Sequence, residues 1–217
     1  MHKIDFVTED GIVIIANYWA GGEKAALLLH MMPATKESWN EFGEELNKIG
    51  FSVLAIDERG HGESTNGGEF DYKNFSDEEQ QKKIIDVEAA DRWLKKNDKQ
   101  LKLLAGASIG ANLALQYQTE NNLAIKTVLL SAGFDYKGIK TKPFAENLHE
   151  PQGVFYIGAE KDVRSGGYSC GYVARELYRL SRIKDKKSFV SQTEKHGTDL
   201  FSVELELMHQ ILDWVKT

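Results

Sequence analysis

Apolar positions along the chain follow two rhythms that take turns. Predominantly apolar runs at residues 25–30, 51–56, 101–105, 125–131 and 154–157 have the length and composition of strands covered on both faces. Between them the apolar residues space out at helical intervals. Trp39, Phe42, Leu46 and Ile49 form one stripe; Ile85, Ala89 and Trp93, widened by Val87, Ala90 and Leu94, form a second. Val173, Leu177 and Leu180 make a third, and Leu205, Met208, Leu212 and Val215 a last one. Ser76-Asp77-Glu78-Glu79 carries the capping-box pattern that opens the second of these helices. Ahead of the alternation, β-branched runs at 4–8 and 12–19 flank Glu9-Asp10-Gly11, a hairpin signal. A final strand is expected at 188–192. Residues 65–76 read as irregular surface and 136–152 as a modest connection with two prolines.

A hairpin followed by strand–helix alternation predicts an α/β fold with a mostly parallel sheet and helices on both faces. Right-handed crossovers then place every strand-to-helix turn at one edge of that sheet, where open α/β sheets bind ligands. Met32, Ser108, Asp135, Asp162 and His196 all lie on such turns.

At 217 residues the chain reads as a single domain, 1–217, with a substantial core. Its net charge of −6 argues against nucleic acid as a partner. No apolar run has membrane-spanning length and the N-terminus has no apolar signal core, so no membrane partner is expected and the cytoplasm is the expected compartment. One cysteine, Cys170, excludes an internal disulfide. Oligomeric state is left open.

The chemistry gathers on Leu101–Gly110, a buried strand running into Gly106-Ala107-Ser108-Ile109-Gly110 and then a helix. Gly-x-Ser-x-Gly between strand and helix is a nucleophile elbow: it lifts the Ser108 hydroxyl off the sheet and aims the Ile109 N–H beside it. A serine hydroxyl needs a base, and the base needs an orienting acid. His196, beside Gly197 after the last strand, suits the base. Asp162, at the end of the preceding strand, suits the acid, with Asp135 as the competitor. Oxyanion charge needs fixed N–H donors. Ile109 supplies one, and Met32, in the loop after the first apolar strand, is the choice for the other.

Taken together, His30-Met31-Met32-Pro33, Asp57-Glu58-Arg59-Gly60-His61-Gly62-Glu63-Ser64, Gly106–Gly110 and the Gly158/Asp162/His196-Gly197 set resemble the α/β-hydrolase family over essentially the whole chain. The resemblance implies an eight-stranded sheet, Ser108 as nucleophile, Asp162 as acid and His196 as base. Glycine is common in that family where Met31 stands here. A cap usually follows the sixth strand, and residues 134–152 leave room for little more than a loop. The expectation is a nearly lidless serine hydrolase acting on a small or medium carboxylic ester. A thioesterase, amidase, small peptidase or non-hydrolytic binding protein is the alternative. No cofactor is expected, and no metal, because metal-ligand spacings are absent from the sequence. His30 is read as structural, His61 as part of a structural turn, and Cys170 as an ordinary cysteine.

Overall fold

The computed structural model describes residues 1–217, apart from the side chain of Ser165. Its elements, in chain order, are β1 His2–Val7, β2 Val13–Trp19, β3 Lys24–Leu29, α1 Asn40–Lys48, β4 Ser52–Ile56, α2 Asp77–Gln81, α3 Lys83–Lys96 and β5 Gln100–Ala107. There follow α4 Ile109–Glu120, β6 Lys126–Leu130, β7 Asp135–Tyr136, β8 Ile139–Lys140, α5 Thr141–Glu146, β9 Gly153–Ala159, α6 Cys170–Leu180, β10 Lys186–Ser191 and α7 Leu207–Lys216. Eight strands form one sheet in the order β1-β2-β4-β3-β5-β6-β9-β10. β1 and β2 pair antiparallel, as do β2 and β4; the pairs β3/β4, β5/β6, β6/β9 and β9/β10 are parallel. This is the α/β-hydrolase fold, N-terminal hairpin included.

The chain divides into two compact units, Met1–Lys102 and Leu103–Thr217. In the first, Leu27, Leu28 and Leu29 of β3 and Leu54 and Ile56 of β4 are wholly buried. Trp39, Phe42 and Leu46 bury the expected stripe of α1. The capping box forms: Ser76 accepts from the Glu79 amide, and Glu79 accepts from that of Ser76. The helix it opens is short, and α3 starts afresh at Lys83. Of the expected stripe, Val87, Ala89, Ala90 and Leu94 are buried, while Ile85 and Trp93 are only partly covered; beside them α3 also buries Lys83 and Asp86. Two charges can face inward because the 57–64 turn supplies their counter-ions. Lys83 pairs with Glu58 at 3.1 Å, both fully buried. Asp86 accepts from the backbone N–H and the Nε of Arg59, each at 2.8 Å.

That turn is held from several directions. Asp57 accepts from the Lys36 amide at 2.8 Å, Lys36 Nζ at 2.7 Å and the Glu63 amide at 2.9 Å. Arg59 also reaches Asp10, in the β1–β2 hairpin, at 2.7 Å. Gly62 has φ +51, and a Cβ there would stand 2.2 Å from the Asp57 carboxylate.

In the second unit, β6 and β9 are almost wholly buried, as parallel interior strands must be. The connection after β6 is more structured than its composition predicts, forming the β7–β8 hairpin and α5. The last helix departs from its expected stripe at one end. It begins at Leu207, so Leu205 lies outside it and is 76% exposed; Leu207, Met208, Ile211, Leu212 and Trp214 form the buried face.

Candidate active site

Ser108 sits between β5 and α4 with φ 54° and ψ −119°, a conformation that costs energy for a residue with a side chain. The neighbouring chain enforces it. A Cβ on Gly106 would stand 2.1 Å from the Gly110 carbonyl oxygen, so strand and helix close to this distance only over glycine. The Ser108 amide donates to the Leu130 carbonyl at 2.8 Å, extending the β5/β6 ladder one residue beyond the strands. The hydroxyl makes no capping bond to α4, and the residue is 9% exposed. Ile109, the first residue of α4, has an amide with no intrahelical acceptor, at the positive end of the helix dipole.

His196 follows β10, and its Nδ1 lies 2.6 Å from Asp162 Oδ2. The carboxylate can only accept, so Nδ1 carries the proton and Nε2 presents a lone pair. Asp162 is buried. Burial alone would raise its pKa, but the His196 hydrogen bond and charge, followed by Cys170 and Arg164, outweigh it and hold the carboxyl below its usual value. Arg164 Nε donates to the other oxygen, Oδ1, at 2.7 Å. Asp135, the rival acid, is exposed at the start of β7, where its Oδ1 accepts from the Gly138 amide at 2.8 Å. It is committed to a hairpin turn.

Met32 lies in the loop after β3, half-exposed and joined to Pro33 by a cis peptide bond. His30 is buried beneath that loop. The Glu58 amide donates to its Nε2 at 3.1 Å, so Nδ1 bears the proton and donates to the Met31 carbonyl at 3.0 Å. With both ring nitrogens spent on backbone, His30 is structural.

A family model for "Serine aminopeptidase, S33" matches residues 23–164, well over half of the chain. The chain belongs to this family of α/β-hydrolases. Among solved structures, Pyrococcus furiosus esterase Pf2001 superposes with a TM-score of 0.77 at 21% identity, covering 99% of this chain and 91% of that one. An esterase from Exiguobacterium antarcticum gives 0.73 at 14% identity, covering 98% and 99%. A thermophilic esterase from Thermogutta terrifontis gives 0.72 at 14%, covering 100% and 98%. At such identities the likeness carries the fold alone. Among curated proteins, none matches the sequence.

Within this serine aminopeptidase family member, several residues around the site escape sequence reasoning. Ser131, one residue beyond β6 with φ 55°, accepts from the Gly197 amide at 2.9 Å through its Oγ. Asn112, buried in the first turn of α4, accepts from the Gly133 amide at 3.1 Å and donates to the Ile139 carbonyl at 2.8 Å. It ties the helix behind Ser108 to the segment after β6. Cys170, at the start of α6, is buried with its Sγ 4.0 Å from His196 Nδ1 and 3.6 Å from Tyr136 Oη. Burial, then the Asp162 charge, pushes its thiol up to about 12, which makes it a poor nucleophile. The signal for Asn112 was available, since a polar residue within the apolar first half of a helix needs a partner. For Ser131 and Cys170 the sequence carries none.

On the solvent side of the His196–Asp162 pair lies an open groove of about 450 Å³, lined by Lys161, Arg164, Glu194, Lys195 and Asp199 among others.

Proposed function

We propose that the chain is a serine hydrolase that cleaves small or medium carboxylic esters through an acyl-enzyme. The observation that carries this reading is the 2.6 Å contact between His196 Nδ1 and Asp162 Oδ2, in a chain whose Ser108 is held in elbow geometry. Ser108 Oγ attacks the ester carbonyl while His196 Nε2 takes its proton. Asp162 keeps the imidazole in the working tautomer and stabilises the imidazolium. The oxyanion rests on the Ile109 amide, with Met32 as the second donor that the sequence assigns. His196 then protonates the leaving alcohol and activates water for deacylation.

Between β6 and β9 stand only a hairpin of two-residue strands and the six-residue helix α5. So small a cap supports an open site for small substrates rather than a gated peptidase chamber. The family's own description names an aminopeptidase, so amide substrates belong in the same test.

The test is a p-nitrophenyl ester series of rising acyl length, with aminoacyl p-nitroanilides alongside, on wild type and S108A. Turnover of short and medium esters that disappears in S108A is the expected result. Turnover of the anilides alone would replace the esterase reading with a peptidase one. No turnover of either class, with no labelling of Ser108 by an activated phosphonate, would leave a binding protein.

A further inference from the structure

Cys170 has no part in the acyl-transfer chemistry, yet its sulfur lies against the two residues proposed to run it. Asp162, Cys170 and His196 each turn one ligand atom inward, and these atoms lie within 4.8 Å of one another. The separations are 2.6 Å between His196 Nδ1 and Asp162 Oδ2 and 4.0 Å between Cys170 Sγ and His196 Nδ1. A tetrahedral zinc-like ion with bonds of about 2.0 Å to nitrogen or oxygen and 2.3 Å to sulfur holds its ligands roughly 3.3–3.6 Å apart. The two gaps at His196 Nδ1 therefore differ from the bound geometry by well under 1 Å, the one to Asp162 opening and the one to Cys170 closing. Thiolate, imidazole and carboxylate together select a borderline-to-soft divalent cation over magnesium or calcium.

We propose that Asp162, Cys170 and His196 form an inhibitory binding site for a divalent cation of the zinc and cadmium class. The ion bonds to Cys170 Sγ, His196 Nδ1 and Asp162 Oδ2, and a water from the adjoining groove completes the tetrahedron. His196 is the part-exposed member of the three, and it borders that groove, which gives the ion its way in. Arg164 keeps its bond to Asp162 Oδ1 and so steadies the carboxylate from behind.

The proton balance explains the inhibition. The Cys170 thiol loses its proton to solvent. The imidazole stays neutral, but the metal displaces the proton on Nδ1 and Nε2 acquires one, so one proton is released per ion bound. An imidazole metallated at Nδ1 and protonated at Nε2 has no lone pair left for the Ser108 proton. The ion thus silences the base through its tautomer, without touching the nucleophile. This consequence rests on the esterase reading; the binding site does not.

The experiment titrates the full-length protein with cadmium chloride, following sulfur-to-cadmium charge-transfer absorption in the ultraviolet and, separately, ester turnover. Wild type is expected to develop the band at one equivalent and to lose turnover in step with it, both reversed by a chelator. C170S is expected to show no band, and its inhibition constant, taken against its own metal-free rate, to rise at least tenfold. C170A serves in its place if C170S does not fold. The proposal is overturned if wild type gives no band, or if the cysteine variants are inhibited as strongly as wild type. The band needs no substrate, so it reports on the site even if every ester proves inert.

Discussion

Gly197, the residue after the proposed base, donates its backbone N–H to Ser131 Oγ at 2.9 Å. Ser131 stands one residue beyond Leu130, whose carbonyl receives the Ser108 amide. The loop bearing His196 is therefore pinned to the strand next to the nucleophile's own. Removing that acceptor in S131A frees the loop while leaving all three proposed catalytic side chains in place. We expect kcat to fall about tenfold, the equivalent of one lost buried hydrogen bond, with KM nearly unchanged. A rise in KM with kcat intact would assign Ser131 to substrate binding instead.

The choice between the two acids has a direct kinetic test. D162N replaces the acceptor of the His196 Nδ1 proton and allows the wrong tautomer, so kcat should drop by roughly 10⁴-fold, as the corresponding change does in a serine protease. D135N disturbs only an exposed hairpin turn and should stay within about threefold of wild type in ester turnover, its stability changing by about 0.5 kcal/mol. The reverse outcome would move the acid to Asp135.

The Lys83–Glu58 pair lies wholly out of water. K83A strands the Glu58 carboxylate in the core and should cost about 3–5 kcal/mol in urea denaturation. The apolar double variant E58L/K83M removes both charges and should recover most of that loss. If K83A and the double variant are equally unstable, packing rather than charge governs the site.

His61 makes the fold acid-sensitive. It is buried between Tyr72, stacked at 3.9 Å between ring centroids, and His30 at 4.8 Å. Burial, then the charge of Lys83 and the nearness of His30, hold its pKa down to about 2. Unfolded, the same side chain takes a proton below about pH 6.5. Between those values the unfolded state binds the extra proton, so stability is complete above pH 6.5 and falls as the pH drops, by about 1.4 kcal/mol per unit. Urea midpoints from pH 7 to 4.5 should show this slope, and H61Q, which does not titrate, should flatten it. Parallel slopes in the two proteins would assign the acid sensitivity to other groups.

Read alone, the sequence determined the architecture and the candidate nucleophile, because both depend on local rules. Strand and helix periods survive in a linear string, and an elbow is five consecutive residues whose glycines are demanded by a contact only four residues long, Gly106 against Gly110. Even the 57–64 turn was legible as structural. What the tertiary structure decided is whatever depends on partners distant in the chain. Lys83 and Asp86 could be recognised as core only once Glu58 and Arg59 were placed opposite them, since a charge is buried when its counter-ion is buried with it. Asp135 and Asp162 look alike on a strand-to-helix turn, and the fold sends one to a hairpin and the other to His196. The cluster of Asp162, Cys170 and His196 has no sequence signature, because its spacings of eight and 26 residues are set by the loop between β9 and α6 and by the run of α6 and β10 rather than by any ligand motif. Two parallel strand ends and one helix start bring those donors together, and only the register of β9 against β10 fixes where strand ends meet.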